Sequence, residues 1–511
     1  MKKKKTFLGL ELGSTRIKAV TIDQNHSLVS SGSHTWKSSM ENGLWTYPLE
    51  EAWVGIKNAI SAIEDRQAIA GMGVSAMMHG YLAFDSGWQL LTPFRTWQNT
   101  VTGEAAEKLT ELFQFNIPQR WSVAHLYQAM LNGEEHVSRI AHITTLAGYV
   151  HYMLTGVHAV GVGEASGMFP IDPDTGDYDV DMMATFDTLT SRAGMPWTIG
   201  ELLPRVLKAG ENAGFLTEEG EKLLDGLLSA GVPFAPAEGD AGTGMVATNA
   251  IAARSGNVSA GTSIFAMVVL EKPLKKHYPE IGIVTTPDGK PVAMVHCNNC
   301  TNDMNAWISV LEETAVLFGA CPEKGELFEK LYRKSLEADY DAGGIVVNNY
   351  LAGESVTHFD EGRPMVIRHP ESKFTLANFM RAQLYSTMVT LRIGMDILSR
   401  EQVSIDRLMG HGGLFKTPGV AQAYMAAACG APVTCMETAG EGGPYGMAVL
   451  VAYTVQREQD ETLDDYLQNR VFASASAVTL PPDKETVDGF ERYLTLFKNA
   501  LAVEQVAVKN I

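Results

Sequence analysis

Positive charge is scarce in this sequence. Its 511 residues carry 40 Lys and Arg against 59 Asp and Glu, a net charge of −19, and the longest basic run is Lys2 to Lys5. Binding to nucleic acid needs clustered Lys and Arg that release counterions from phosphates, so that class is excluded and the surplus acid reads as a solubility feature. Long hydrophobic runs are missing as well. The apolar stretch that follows Lys5 is interrupted by Glu11 and Arg16, so the chain is read without a signal peptide or a membrane span. Cysteine is sparse and odd in number: Cys297, Cys300, Cys321, Cys429 and Cys435. That excludes a disulfide framework and fits a reducing cytoplasm. Cys297-Asn-Asn-Cys300 has the spacing of half a zinc site, but there is no second pair, and buried thiols are the expectation. What is present is ordinary globular composition, 45% hydrophobic and 19% charged, in a chain too long for a single core.

The order of apolar and polar segments predicts an α/β protein. Residues 7–12 and 17–22 read as strands around the turn Gly13-Ser14-Thr15-Arg16, with a third strand over 27–33. Leu49, Trp53, Ile56, Ile60 and Ile63 recur at helical spacing, and a strand over 70–75 follows. The middle of the chain alternates helical stretches such as 140–154 with loops such as 171–181. A short strand over 232–236 leads into a glycine-rich acidic loop, 238–244, and the domain boundary is placed there: residues 1–244 and 245–511. The opening pattern then returns, with a strand over 256–260, the turn Gly261-Thr262-Ser263 and a strand over 264–270. This weak internal repeat would set one such turn in each domain, facing the other across a cleft. A long helix over 376–398, a strand edge over 408–415 that opens into Gly410-His411-Gly412-Gly413, a helix from Pro418 to Gly430, a strand over 432–436 and a helix over 446–453 complete the second unit.

Turns of glycine and hydroxyl residues between strands expose N–H and O–H donors that cradle phosphate, and Gly13-Ser14-Thr15 and Gly261-Thr262-Ser263 both have that character. Each taken singly is also an ordinary hairpin turn. Lys18 could bring a cation towards phosphate oxygens, and Glu11 a carboxylate towards magnesium. Asp240 is flanked by Gly239 and Gly242, which leaves it open to a substrate hydroxyl as a general base, or else free to organise its own loop. Met78-His79-Gly80 and Trp97-Gln98-Asn99-Thr100 offer an imidazole, an indole and two amides suited to a polyhydroxylated ligand. Gly71-Met72-Gly73-Val74-Ser75-Ala76 matches a loose dinucleotide fingerprint, but its glycines lie inside the strand and no helix opens after them, so a nicotinamide enzyme is rejected.

In order, residues 8–18 (LGLELGSTRIK), 71–80 (GMGVSAMMHG), 97–100 (WQNT), 149–156, 163–172, 238–244, 256–263 (GNVSAGTS) and 410–417 (GHGGLFKT) resemble the FGGY family of carbohydrate kinases, its xylulokinase-like members above all. The resemblance implies an actin-like ATPase fold, two ribonuclease-H-like domains closing around ATP, magnesium and a small sugar or polyol, with a xylulose-like ketose favoured. It implies Asp240 as general base and magnesium near Glu11 and Asp240. ATP would meet Gly13, Ser14, Thr15 and Lys18 from the sugar-binding N-terminal domain. It would meet Gly261, Thr262, Ser263, Gly412, Gly413 and Lys416 from the nucleotide-binding C-terminal one. Met78, His79, Trp97, Gln98 and Asn99 would line the sugar pocket together with Asp240. Neither nucleic acid nor a membrane is a partner on this reading, and a homodimer is compatible with it. The sequence departs from the family pattern at Glu11, usually Asp, at Ala76-Met77, usually Gly-Gln, and at Gln98-Asn99, usually Asn-Asp, which removes a carboxylate from the pocket. A sugar or nucleotide sensor without catalysis is the alternative; a chaperone-like ATPase of the same superfold is a third reading.

Overall fold

The computed structural model describes residues 5–436 and 442–511, so Lys2, Lys3 and Lys4 lie outside the described residues. Two sheets organise the chain. The first contains β1 (Thr6–Leu12), β2 (Arg16–Asp23), β3 (Leu28–Thr35), β4 (Ile69–Ala76) and β5 (Glu238–Gly239), in the order β5-β4-β1-β2-β3. The second contains β6 (Ser255–Ala260), β7 (Ile264–Val269), β8 (Ile281–Thr285), β9 (Pro291–Cys297), β10 (Arg407–His411), β11 (Val433–Met436) and β12 (Ala477–Leu480), in the order β8-β9-β7-β6-β10-β11-β12. The repeat read in the sequence is real at the level of pairing. β1 and β6 each pair antiparallel with the next strand in sequence and parallel with a strand that returns after a helix.

Helices cover these sheets. They include α1 (Leu49–Ser61), α2 (Ser122–Leu131), α3 (Leu146–Thr155), α4 (Asp240–Ala247), α5 (Leu376–Arg400), α6 (Val420–Cys429) and α7 (Gly443–Gln456). α5 is buried along most of its length, and α6 stops at Gly430, which adopts the left-handed conformation that glycine permits (φ 64°).

Helix α7 does not complete the second unit as its place in the sequence suggests. It packs on β1 and β4 of the first sheet and against α4. Small residues allow this approach: a Cβ added to Gly9 would lie 2.1 Å from the Pro444 carbonyl oxygen, and one on Gly73 2.3 Å from the Met447 methyl. The glycines that imitate a dinucleotide fingerprint therefore lie within strand β4 and make room for a helix.

Other boundaries shift for local reasons. The expected acidic loop 238–244 is a two-residue strand followed at once by helix α4, where packing overrides the low helix propensity of Gly242 and Gly244. The expected strand 232–236 is reduced to isolated bridges at Pro233 and Phe234, because Pro233 and Pro236 carry no N–H for a ladder. The helix expected over 140–154 starts at Leu146, capped by the Thr145 hydroxyl, while His142–Thr144 pairs with Leu82–Phe84. Within the expected loop 171–181, Ile171–Asp172 pairs with Asp177–Tyr178. Cys297 and Cys300 are buried free thiols whose pKa values burial pushes well up, and no cluster of three metal-ligating side chains occurs among the described residues.

Candidate active site

Glu11 is the next-to-last residue of β1, opposite Lys18 on β2 and Ser75 on β4, and Asp240 is the first residue of α4. Both line a cavity of about 730 Å³, whose other walls include Asn257, Phe265 and His411 of the second sheet and Gly443 and Tyr445 of α7. The two carboxyl groups thus open into the gap between the sheets. Asp240 is exposed to this cleft, and its Oδ1 accepts the Met78 N–H at 3.1 Å. The protein walls around it raise its pKa by desolvation, while the N–H groups of Met78 and Ala241 and the charge of Arg120 pull the other way. Its seat at a helix N-terminus favours the ionised form.

Glu11 is pushed up to about 8, first by desolvation and then by the charge of Asp240, against the opposing pull of Lys18 and Ser75. Its Oε2 is buried and has no hydrogen-bond partner among the described residues. A Cβ on Gly443 would lie 1.6 Å from that oxygen, so the start of α7 closes directly over the carboxylate. Two neighbouring carboxyl oxygens, one of them orphaned, suit a small hard cation such as magnesium, which takes one or two protein carboxylates and fills its other positions from phosphate and water.

The two glycine-hydroxyl turns share one construction. In the first, Gly13 O accepts the Trp36 indole N–H (2.7 Å), Ser14 O the Tyr47 hydroxyl (2.7 Å) and Thr15 O the Trp36 backbone N–H (3.2 Å). In the second, Gly261 O accepts the Thr301 hydroxyl (2.7 Å) and Thr262 O the Cys300 N–H (3.1 Å). Both turns therefore have their carbonyls tied down, while Thr15 and Thr262 are exposed. Gly412 sits over the second turn with φ 102°, where a Cβ would meet the Ala260 carbonyl oxygen at 2.4 Å. Gly413 and Lys416, beside it, line a second cavity of about 470 Å³ with Thr301 and Lys324.

On the other side of Asp240, Met78 and His79 are buried, and the His79 backbone is left-handed (φ 74°). His79 Nδ1 lies 3.3 Å from the Gly167 carbonyl oxygen, and burial holds this imidazole neutral. Trp97 is 40% exposed, and the buried Gln98 Oε1 has no partner among the described residues. Asn99 is used differently from the expectation: its oxygen accepts the Trp45 N–H and its amide donates to the Trp45 and Thr96 carbonyls, so it braces this loop.

Pattern reading misses two groups. Arg120 lies within Coulombic reach of Asp240, His79 and His296, in a loop whose carbonyl accepts the Gly80 N–H at 3.1 Å. No spacing in Pro118-Gln119-Arg120-Trp121 announces it. Glu238 is enclosed behind Asp240: its Oε2 accepts the Glu164 N–H at 3.1 Å, its Oε1 has no partner among the described residues, and burial pushes its pKa up to about 8. The folded protein therefore holds this proton to about pH 8, whereas the unfolded chain releases it near the ordinary value of 4.5. The associated stability is present below the unfolded value and is lost as pH rises through about 8. The wild-type urea midpoint is expected to fall between pH 5 and pH 8.5, and the fall to be smaller in Glu238→Gln; equal slopes would rule the account out.

Fold and cleft together define a two-lobed sugar kinase architecture. Residues 6–247 match the FGGY family of carbohydrate kinases, N-terminal domain, and residues 256–455 match the C-terminal domain of the same family. The chain belongs to the FGGY family of carbohydrate kinases. A xylulose kinase of Haemophilus influenzae is 22% identical over 516 residues, covering 96% of this chain and 99% of its own. Among solved structures, gluconate kinase from Lactobacillus acidophilus superposes with a TM-score of 0.81 at 16% identity, covering 98% of both chains. The ligand-bound xylulose kinase of the same organism gives 0.80 at 16% identity, again over 98% of both chains. The protein is a carbohydrate kinase, a phosphotransferase with an alcohol acceptor, of xylulose kinase-like type. Among the described residues no helix is long and apolar enough to cross a membrane.

Proposed function

We propose that this kinase transfers the γ-phosphoryl group of ATP to a hydroxyl of a small sugar or polyol, with Asp240 as the general base. The observation that carries the reading is the position of the Asp240 carboxylate: it heads a helix, opens to the cleft, and shares one cavity with Glu11 and with residues of the second sheet. The acceptor hydroxyl gives its proton to Asp240 as its oxygen attacks the γ-phosphorus; the bond to the bridging oxygen breaks and ADP leaves. Gly13, Ser14, Thr15 and Lys18 are assigned to the phosphates from residues 1–244, and Gly261, Thr262, Ser263, Gly412, Gly413 and Lys416 to the nucleotide from residues 245–511. Glu11 and Asp240 would hold magnesium, whose chemistry there is to neutralise charge on the phosphate oxygens. Met78, His79, Trp97 and Gln98 would face the acceptor, and Asn99 supports them.

Names of relatives leave the acceptor open between a neutral ketose and a sugar acid. Incubation with ATP, magnesium and a panel of pentuloses, hexuloses, polyols and aldonates is expected to yield ADP with one acceptor class and little ADP without acceptor. Acceptor-independent hydrolysis would favour an ATPase, and binding without ADP a sensor.

A further inference from the structure

Asp303, Ala306, Trp307 and Val310 recur at three- and four-residue intervals on the helix Thr301–Leu317, so they share one of its faces. Thr301 and Asn305, which border the cavity of Gly413 and Lys416, lie on the opposite face. Together with residues 364–366 the first four line a separate cavity of about 230 Å³. Asp303 is 7% exposed, and its Oδ2 is buried without a hydrogen-bond partner among the described residues. A first helical turn favours a carboxylate, but here the N–H groups of Cys300 and Thr301 go to the Thr262 and Gly261 carbonyls. Trp307 is 37% exposed, and its ring is held in a T-shaped contact with Phe379, centroids 5.2 Å apart. Of the residues that line this cavity Asp303 alone is ionisable, so no cation of the chain answers it there.

We propose that this cavity binds a small organic monocation, an alkylammonium or alkylguanidinium group, which donates to Asp303 and lies against the Trp307 ring. The site is separate from the acceptor and nucleotide cavities and does not depend on the kinase reading. A buried carboxylate oxygen without a donor is costly, and a cation that also hydrogen-bonds satisfies it more fully than a neutral donor. An indole face attracts such a charge, and Val310 with the stretch 364–366 suits the aliphatic stem behind it. A divalent metal is a poor match. It asks for several oxygen ligands, whereas one carboxylate lines the cavity and no cluster of three metal-ligating side chains occurs among the described residues. The volume lies below the roughly 300–1,000 Å³ of pockets for drug-sized ligands, which restricts the occupant to a head group and a short chain. Desolvation pushes the Asp303 pKa up to about 6 while Trp307 opposes the shift, so the carboxylate is ionised above that pH and protonated below it. The same chemistry comes from a free amine or from a Lys or Arg side chain of another polypeptide.

The test is equilibrium binding, by calorimetry and ligand-observed NMR, of n-butylamine, n-butylguanidine, neutral n-pentanol and the Nα-acetyl amides of lysine and arginine. The wild-type chain is expected to bind the cations and to bind n-pentanol at least about 10-fold more weakly. Asp303→Asn is expected to lose about 10- to 150-fold in cation affinity, and Trp307→Leu about 2- to 30-fold, with the urea midpoint of each variant showing that it is folded. Affinity is also expected to fall as pH drops through about 6 in the wild type, and to stay level in Asp303→Asn. Tighter binding of the acetylated amino-acid amides than of the free amines would name a partner polypeptide's side chain as the source, and the reverse order a free amine; either order supports the site. No binding of any cation, equal binding of the alcohol, or an affinity untouched by Asp303→Asn would overturn the proposal.

Discussion

Asp240→Asn is expected to lower turnover by about 10²–10⁴-fold while leaving acceptor binding within a few-fold of the wild type, because the amide keeps the Met78 hydrogen bond but cannot take a proton. Two further readouts separate this from a general disturbance. Desolvation raises the Asp240 pKa above the ordinary carboxylate value of 3.8, so wild-type turnover should fall as pH drops through that raised value and the base becomes protonated. In the variant that limb should vanish. Turnover near the wild-type level, or an acid limb that survives in Asp240→Asn, would place the base elsewhere.

Gly446→Ala is the second large effect. In an exposed helix this exchange adds up to about 1 kcal/mol of stability through propensity. Here the new methyl would lie 2.0 Å from the Thr243 carbonyl oxygen and 3.2 Å from the Ala247 nitrogen, both backbone atoms of α4 that cannot swing aside. Overpacking of that kind costs about 1–3 kcal/mol, and more where the backbone must shift. The expected result is therefore destabilisation, seen as a lower urea midpoint, together with weaker catalysis because α4 carries Asp240. Gly325→Ala, at a helical glycine with nothing within 4 Å, is the control and should be neutral or stabilising. A stabilised Gly446→Ala protein would show that α7 and α4 do not pack this closely.

These two residues also mark what a linear sequence discloses. The strands on either side of Gly13-Ser14-Thr15 and Gly261-Thr262-Ser263 are legible because short apolar runs and turn chemistry are local properties, and so is the long helix α5, whose apolar face repeats at the helical period. Asp240 was legible through its glycine neighbours. Its secondary structure was not, since Gly242 and Gly244 read as loop and only packing against α7 makes the segment helical. Helix α7 is recognisable as a helix but not assignable to the first sheet, a contact that spans more than three hundred and seventy residues and leaves only small side chains as its trace. Asn99 looked like a ligand-facing amide because nothing local shows that the Trp45 backbone takes up its hydrogen bonds. Arg120 and Glu238 are not legible in the sequence because what sets them apart is their neighbours in space, in one case a carboxylate 120 positions away and in the other the glycines at 161 and 163.

The return of α7 to β1 and β4 has a consequence for how the polypeptide is made. Strands β1 and β4 leave the ribosome early, yet the surface that Gly9, Gly71 and Gly73 leave bare is covered only when residues 443–456 arrive. During synthesis the leading portion must wait, partly uncovered, for the trailing one, a delay that invites chaperone engagement and makes early termination of translation costly for solubility.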